Sequence, residues 1–160
     1  MSNNTFQNKE FKDNLQRYEA THNTCKPVYL GPDELTDIAE YYHLHGQLNK
    51  ALAAIDQAIQ MFPGATQPLA FRARVAILLE NNTHTAMQYA RQIEDKADLD
   101  YFYIMAEIMI ASGNDEQADR YLKEKSTEIS DDDTDDFYLD VAVLFTDYDN
   151  IPLAKAWLSR

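Results

Sequence analysis

Four short polar breaks punctuate the chain at nearly constant spacing, and an alanine follows each break five residues later. The breaks are centred on Gly46, Asn81, Gly113 and Asp149, so that successive spacings are 35, 32 and 36 residues. The alanines are Ala51, Ala86, Ala118 and Ala154. Unrelated helices are not expected to keep such a register four times, and a period of this length is typical of a helical repeat.

Apolar residues between the breaks recur at three- and four-residue spacing, which predicts amphipathic helices. Two antiparallel helices joined by a tight turn approach closely only where small residues face each other. Gly or Asn at the turn can adopt the left-handed backbone that ends a helix. Ala39, Ala106 and Ala142 lie seven residues before their turns. We expect them to face the alanines of the second helix, while the next pair buries the remaining apolar face.

This layout resembles the tetratricopeptide repeat (TPR) family. In the clearest copy, Pro32 to Ala65, Ala39 and Tyr42 match the small eighth and aromatic eleventh positions of the family pattern, and Gly46 matches the turn. The stretch Lys26 to Tyr42, which leads into this copy, is also similar to the start of a group of bacterial TPR proteins that are usually longer than this chain. The resemblance covers about residues 28–160. It implies an all-α, right-handed α-α superhelix, a TPR-like solenoid of about 3.5 helix pairs with an N-terminal helix.

The resemblance divides the chain into an N-terminal helical arm with an extended linker, residues 1–30, and a TPR array, residues 31–160. The copies span about 32–65, 67–98, 99–126 and 135–160. In the second copy Arg74 takes the small eighth position, and we expect its stem to lie over the vacated space with its head in solvent. The fourth copy is incomplete. We expect its last helix to expose Trp157 and Leu158 as a self-association end, which predicts a homodimer through the C-terminal repeat.

Phe6, Phe11, Leu15 and Tyr18 form one side of a predicted helix over about residues 6–20. Residues 21–24 are predicted to be a loop and residues 26–30 to be extended, ahead of a good helix start at Gly31-Pro32. Two alternatives are open for this N-terminal helix. It caps the first repeat, or it is a detachable arm that docks into a groove.

The net charge of −13 is unevenly placed, with −2 in residues 1–80 and −11 in residues 81–160. An acidic surface argues against binding nucleic acid or an anionic membrane. No apolar run approaches the roughly 20 residues that span a bilayer, and the lone Cys25 cannot form an internal disulfide. We therefore expect a cytoplasmic protein. A calcium loop starting at Asp131 would need Gly and Glu where Asp136 and Ala142 stand, so the acidic run is interpreted as the start of a helix.

No pattern of catalytic residues is present. His43 and His45 are two apart on a predicted helix and point about 200° apart, so they cannot share a metal. His22 and His84 are isolated in polar stretches, and Cys25 has no histidine partner. The chain also lacks a Gly-rich phosphate loop. We predict a protein without catalytic activity, metal or cofactor.

In TPR arrays the first helix of each pair lines a concave face, so the resemblance implies a peptide groove. Its predicted residues are Thr36, Asp37, Glu40, His43, Arg72, Val75, Leu79, Tyr103, Ile104, Glu107, Leu139, Asp140 and Val143. Acidic chaperone tails, the best-known family ligands, are held by a lysine, asparagine and arginine clamp, which is absent here. A tail carboxylate would meet Glu40 and Asp100 and be repelled. We expect a basic, apolar or mixed segment instead, with Tyr103 as the aromatic residue singled out for partner contact.

The sequence therefore predicts a non-catalytic protein-interaction module or scaffold. Two alternatives remain. Some secretion chaperones resemble the chain in size, acidity and repeat count, which suggests a small dedicated chaperone that holds an unfolded client segment. The unfinished last helix favours the non-catalytic part of a larger enzyme or regulator.

Overall fold

The computed structural model describes residues 5–24, 29–130 and 132–160, and all the regular secondary structure in these ranges is helical. The predicted all-α class is therefore confirmed for this part of the chain. Short 3-10 helices lie at Thr5–Gln7 and Ser126–Glu128. The α-helices are α1 (Lys9–Thr24), α2 (Pro32–Leu44), α3 (Leu48–Met61), α4 (Thr66–Leu78), α5 (Thr83–Gln92), α6 (Leu99–Ala111), α7 (Asp115–Lys125), α8 (Thr134–Asp147) and α9 (Ile151–Leu158).

The chain forms two compact units, Met1–Arg72 and Ala73–Arg160. In the first unit α2 packs against α3, and α1 packs on α2. The aromatic ring of Phe11 lies 5.4 Å from that of Tyr41, and the Tyr42 hydroxyl donates a hydrogen bond of 3.0 Å to Glu19. The described part of α1 therefore covers one side of α2, as the capping alternative requires.

The prediction of a loop at residues 21–24 is wrong, because α1 continues to Thr24. The Thr21 hydroxyl donates 2.6 Å to the Tyr18 carbonyl, so a residue that favours turns is satisfied within the helix. The predictions for Cys25 and for the extended stretch 26–28 lie outside the described residues.

In the second unit α6 packs against α7, α8 against α9, and α6 also contacts α5 and α8. The core of this unit is aromatic at its C-terminal end, where Phe137, Phe145 and Trp157 are buried with Phe102 and Leu122. Aromatic side chains on α6, α8 and α9 converge there, so the position of α8 is fixed by packing along its buried face.

The predicted left-handed turns are present at all four breaks. Positive φ angles occur at Gly46 (71°), Asn81 (49°), Gly113 (79°) and Asp149 (59°). After the first, third and fourth turns an amide donates to the carbonyl five residues earlier, as in Gln47 to Tyr42 at 2.8 Å. The second turn reaches six residues back, from Asn82 to Ala76, so it contains one extra residue.

The alanines that follow the breaks are buried. Ala51, Ala86 and Ala118 have no exposed surface, and Ala154 is 3% exposed. Ala39, Ala106 and Ala142 in the preceding helices are buried as well. Small residues therefore occupy the interior of the helix pairs, as the close approach of two helix backbones requires.

Acidic residues stand in the first turn of α8, where Asp135 and Asp136 follow Thr134. Carboxylates in this position favour the positive end of the helix dipole. The interpretation of the acidic run as a helix start is confirmed for the residues after Asp131, which is itself outside the described set. No helix in the described ranges is both long and apolar enough to cross a membrane.

Candidate functional surface

The outward face of α8 combines exposed aliphatic side chains with carboxylates. Leu139 is 52% exposed and Val143 is 51% exposed, and they lie one helical turn apart. Asp136, Asp140 and Asp147 are exposed on the same side of the helix. We refer to these five residues as the α8 stripe.

The opposite face of α8 holds the stripe in place. Phe137, Val141 and Phe145 are buried in the core of the second unit at spacings of four residues. A helix anchored in this way presents its outward residues in a fixed arrangement, so a partner need not order the helix when it binds.

Tyr103 on α6 forms one edge of the stripe. Its hydroxyl donates 3.0 Å to Oδ2 of Asp140, and its ring stacks on Phe137 at 5.8 Å. Burial raises the pKa of Tyr103 above its ordinary value, and the negative charge of Asp140 adds to this effect. Tyr103 is therefore protonated at neutral pH and positions the Asp140 carboxylate.

A buried ion pair lies beside the stripe. Glu107 on α6 is 7% exposed, and Arg74 Nε donates 2.8 Å to its Oε1. Burial raises the pKa of Glu107, Arg74 opposes this effect, and Asp147 and Asp100 add to it. The Arg74 side chain is 35% exposed, so it keeps contact with solvent as expected, but its Nε also bonds a buried carboxylate that needs a countercharge, which the sequence analysis did not predict.

Tyr148 borders the same ion pair. Its hydroxyl is buried and has no hydrogen-bond partner among the described residues. Burial, followed by the charge of Glu107, raises the pKa of Tyr148 to about 12. This hydroxyl therefore remains neutral, and the net charge near Glu107 is set by Arg74, Asp100 and Asp147.

Trp157 is not an exposed self-association residue, so that prediction is wrong. The side chain is completely buried, its ring lies 5.6 Å from that of Tyr138, and its Nε1 donates 2.9 Å to Oδ1 of the buried Asp119. The carboxylate on α7 satisfies the indole N–H, which allows the whole ring to enter the core. Leu158 remains 63% exposed.

The predicted groove residues fall into three groups. Thr36, Val75, Ile104 and Glu107 are buried, so their side chains offer no surface to a partner. The partly exposed ones are Asp37, Glu40, Arg72 and Tyr103, and the exposed ones are His43, Leu79, Leu139, Asp140 and Val143. The structure brings together Tyr103, Leu139, Asp140 and Val143. The sequence analysis missed Asp136 and Asp147, although their spacing of four and seven residues from Asp140 places them on the same helical face.

The three histidines whose side chains the structure describes form no metal cluster. His43, His45 and His84 are exposed, and Nδ1 of His45 lies 2.7 Å from the Tyr41 carbonyl oxygen. The His22 side chain lies outside the described set. Across residues 6–21, 29–130 and 132–160, where side chains are described, no three His, Cys, Asp or Glu residues converge on a metal position.

The α8 stripe offers two kinds of attraction. Its aliphatic pair loses unfavourable contact with water when covered, and its carboxylates attract cationic side chains. The chain matches no family model, no curated protein and no solved structure.

Proposed function

We propose that this protein is a non-catalytic interaction module that binds a basic, partly apolar segment of another protein at the α8 stripe. The observation that carries this proposal is the exposed pair Leu139 and Val143, flanked by three carboxylates, on a helix whose opposite face is fixed in the core. The fold of a soluble domain does not require two adjacent half-exposed aliphatic side chains surrounded by carboxylates, although scattered single ones are common.

Charge sets the kind of partner. Residues 81–160 carry a net charge of −11, so an acidic segment is repelled and a basic segment is attracted during approach. Covering the aliphatic pair contributes about 1.5–3 kcal/mol, since each side chain is already half buried and gains about half of the full burial energy. Much of the affinity therefore comes from the carboxylates, and binding should weaken as salt screens them.

We also propose that the helix pairs form a TPR-like solenoid. The proposal is supported by the shared left-handed turns at Gly46, Asn81, Gly113 and Asp149 and by a buried alanine after each turn. The match of residues 32–65 to the TPR pattern supports it further. In such an array α8 is the first helix of the last pair, the position from which TPR helices contact ligands.

The test is a binding titration with two amphipathic probe peptides that differ only in charge. Both carry leucines at helical spacing, one with lysines and the other with glutamates at the polar positions. We expect the lysine peptide to bind and its binding to weaken with added salt. In the variant Leu139→Ser its affinity should fall by about four- to tenfold. Leu44→Ser is the matched control, because Leu44 is an exposed leucine on α2 outside the stripe.

Equal binding of both peptides, or equal weakening by Leu139→Ser and Leu44→Ser, would contradict the proposal. The circular dichroism of the bound lysine peptide also distinguishes the chaperone alternative. A dedicated chaperone holds its client segment unfolded, whereas docking of an amphipathic helix on the stripe increases the helical signal.

A further inference from the structure

The last helix carries chemistry that complements the α8 stripe. Ile151 is 44% exposed and Leu158 is 63% exposed, two helical turns apart, with the exposed Lys155 between them. We refer to these three residues as the α9 ridge. Helix α9 contains no carboxylate, and Lys155 has no ion-pair partner in the part of the chain that the structure describes.

We propose that the α9 ridge of one copy docks on the α8 stripe of a second copy of this chain. This inference rests on the proposed function, because it names an occupant for the same stripe. The ridge offers the basic and apolar side chains that the stripe attracts, and opposite charges favour this pairing over stripe against stripe or ridge against ridge.

The apolar pair of the ridge is more widely spaced than that of the stripe, and the wider spacing leaves room for Lys155. Ile151 and Leu158 are separated by about 10 Å along the axis of α9, and Leu139 and Val143 by about 6 Å along the axis of α8. Lys155 lies between the two apolar residues of the ridge, so it reaches the carboxylates beside the aliphatic pair when that pair is covered. Asp140 and Asp147 are seven residues apart, which gives the ammonium group a carboxylate in either helix direction.

Both surfaces remain exposed in one copy. Helices α8 and α9 pack against each other, and their buried residues, among them Phe137, Ala154 and Trp157, belong to the shared core. The aliphatic side chains of the stripe and the ridge are all at least 44% exposed, and among the described residues no ion pair joins Lys155 to a carboxylate of the stripe. A second copy supplies the cover that each surface lacks.

The contact can be made in two ways. Two copies that make it once leave one stripe and one ridge free, so further copies add and the mass rises beyond that of a dimer with concentration. Two copies that make it twice about a twofold axis stop at the dimer. In both arrangements each contact joins a stripe to a ridge, which variants of the two surfaces can test.

The test uses two variants that each disable one surface, Val143→Lys for the stripe and Leu158→Asp for the ridge. Both positions are at least half exposed, so folding should be unaffected, and circular dichroism checks this. Multi-angle light scattering over a concentration series should show oligomers for the unaltered protein and for the control Leu44→Ser. Each variant alone should be monomeric, with association at least about tenfold weaker.

Mixing the two variants provides the decisive measurement. The Val143→Lys chain keeps its ridge and the Leu158→Asp chain keeps its stripe, so the mixture should form a one-to-one dimer that neither variant forms alone. The double variant Asp147→Lys/Lys155→Asp, with the charges exchanged, should recover association that Lys155→Asp alone loses.

Three results would overturn the inference: an unaltered protein that is monomeric at high concentration, loss of association in Leu158→Asp but not in Val143→Lys, or a mixture that remains monomeric. Binding of the lysine peptide distinguishes failure of the self-docking proposal from failure of the proposed function. If the peptide binds the monomeric Leu158→Asp chain while copies do not associate, only the self-docking is wrong. If neither binds the stripe, both proposals are wrong.

Discussion

Replacing Arg74 by methionine tests whether the buried Glu107 carboxylate depends on its arginine for stability. Methionine keeps most of the aliphatic stem, so the substitution removes the charge while it retains packing. The Nε–Oε1 distance is 2.8 Å, and the Arg74 and Glu107 side chains are 35% and 10% exposed. We expect Arg74→Met to lower the free energy of unfolding and Glu107→Gln to remove most of that sensitivity.

The expected loss of unfolding free energy in Arg74→Met lies between the values for an exposed and for a fully buried ion pair. Exposed ion pairs contribute about 0–1 kcal/mol, and removing one partner of a fully buried pair costs about 3–5 kcal/mol. Because water reaches the arginine but hardly the carboxylate, we expect a loss of about 2 kcal/mol, which lowers the melting temperature by about 4–8 °C. In the Glu107→Gln background the same substitution should cost less than about 1 kcal/mol, since no buried charge is left unpaired.

The pH dependence of the unfolding free energy provides a second test of the Arg74–Glu107 pair. The pKa of Glu107 is raised above its ordinary value near 4.5. In the window above that value the native state binds more protons than the unfolded chain, so the free energy of unfolding falls as pH rises. Arg74→Met removes the group that opposes the shift, so the fall should become steeper and extend to higher pH. Glu107→Gln should abolish this contribution.

The assay is urea denaturation from pH 4.5 to 8, followed by the fluorescence of Trp157, the single tryptophan, which lies in the same unit as the ion pair. A double-mutant cycle over the two substitutions isolates their coupling. An equal cost of Arg74→Met in both backgrounds would refute the reasoning, because it would show that arginine stabilises through its stem alone.

Three further predictions concern the core, a turn and the edge of the stripe. Trp157→Phe should lower the free energy of unfolding by about 1.5–3 kcal/mol, because Asp119 loses a buried donor. Trp157→Ala should lower it by about 3–5 kcal/mol, because it also leaves a cavity. Circular dichroism in urea measures both losses. Gly113→Ala should cost about 1 kcal/mol because φ is positive there, whereas Asp149→Gly should not lower thermal stability. Tyr103→Phe should keep the fold and cost less than about 1 kcal/mol in urea denaturation, since the lost hydrogen bond is partly solvated; a larger loss would show that Tyr103 supports more than the Asp140 carboxylate.

The helix pairs could be predicted from the sequence because local chemistry fixes where helices stop. Gly46 and Gly113 can adopt positive φ without strain, and the residue after each turn then bonds back into the helix. The second helix of a pair can cross the first closely only at a small residue. Ala51 and Ala118, which are buried at such positions, could therefore be identified from their constant spacing after the turns. These requirements involve residues close together in the chain, so periodicity is sufficient to reveal them.

The placement of the site residues was less predictable because it depends on neighbours distant in sequence. Glu107 and Val143 occupy equivalent positions in their repeat copies, each directly after the small alanine, yet Glu107 is buried and Val143 is half exposed. A helical period identifies which residues share a face, but it does not say whether another helix covers that face. The error at Trp157 has the same origin, since its partner Asp119 lies 38 residues away.

A residue that was predicted on the surface stays exposed where covering it would require a partner that the described part of the chain does not supply. Trp157 is buried because α7 provides an acceptor for its indole N–H, and Arg74 Nε turns toward the core because Glu107 needs a countercharge. Leu139 and Val143 have no second helix over them, and the carboxylates beside them would have to be desolvated or paired if one covered the stripe. A partner with cationic side chains would pair with these carboxylates and so avoid the cost of desolvating them unpaired. The same energetic rule that buries Glu107 beside an arginine therefore supports the proposal of a basic partner for the α8 stripe.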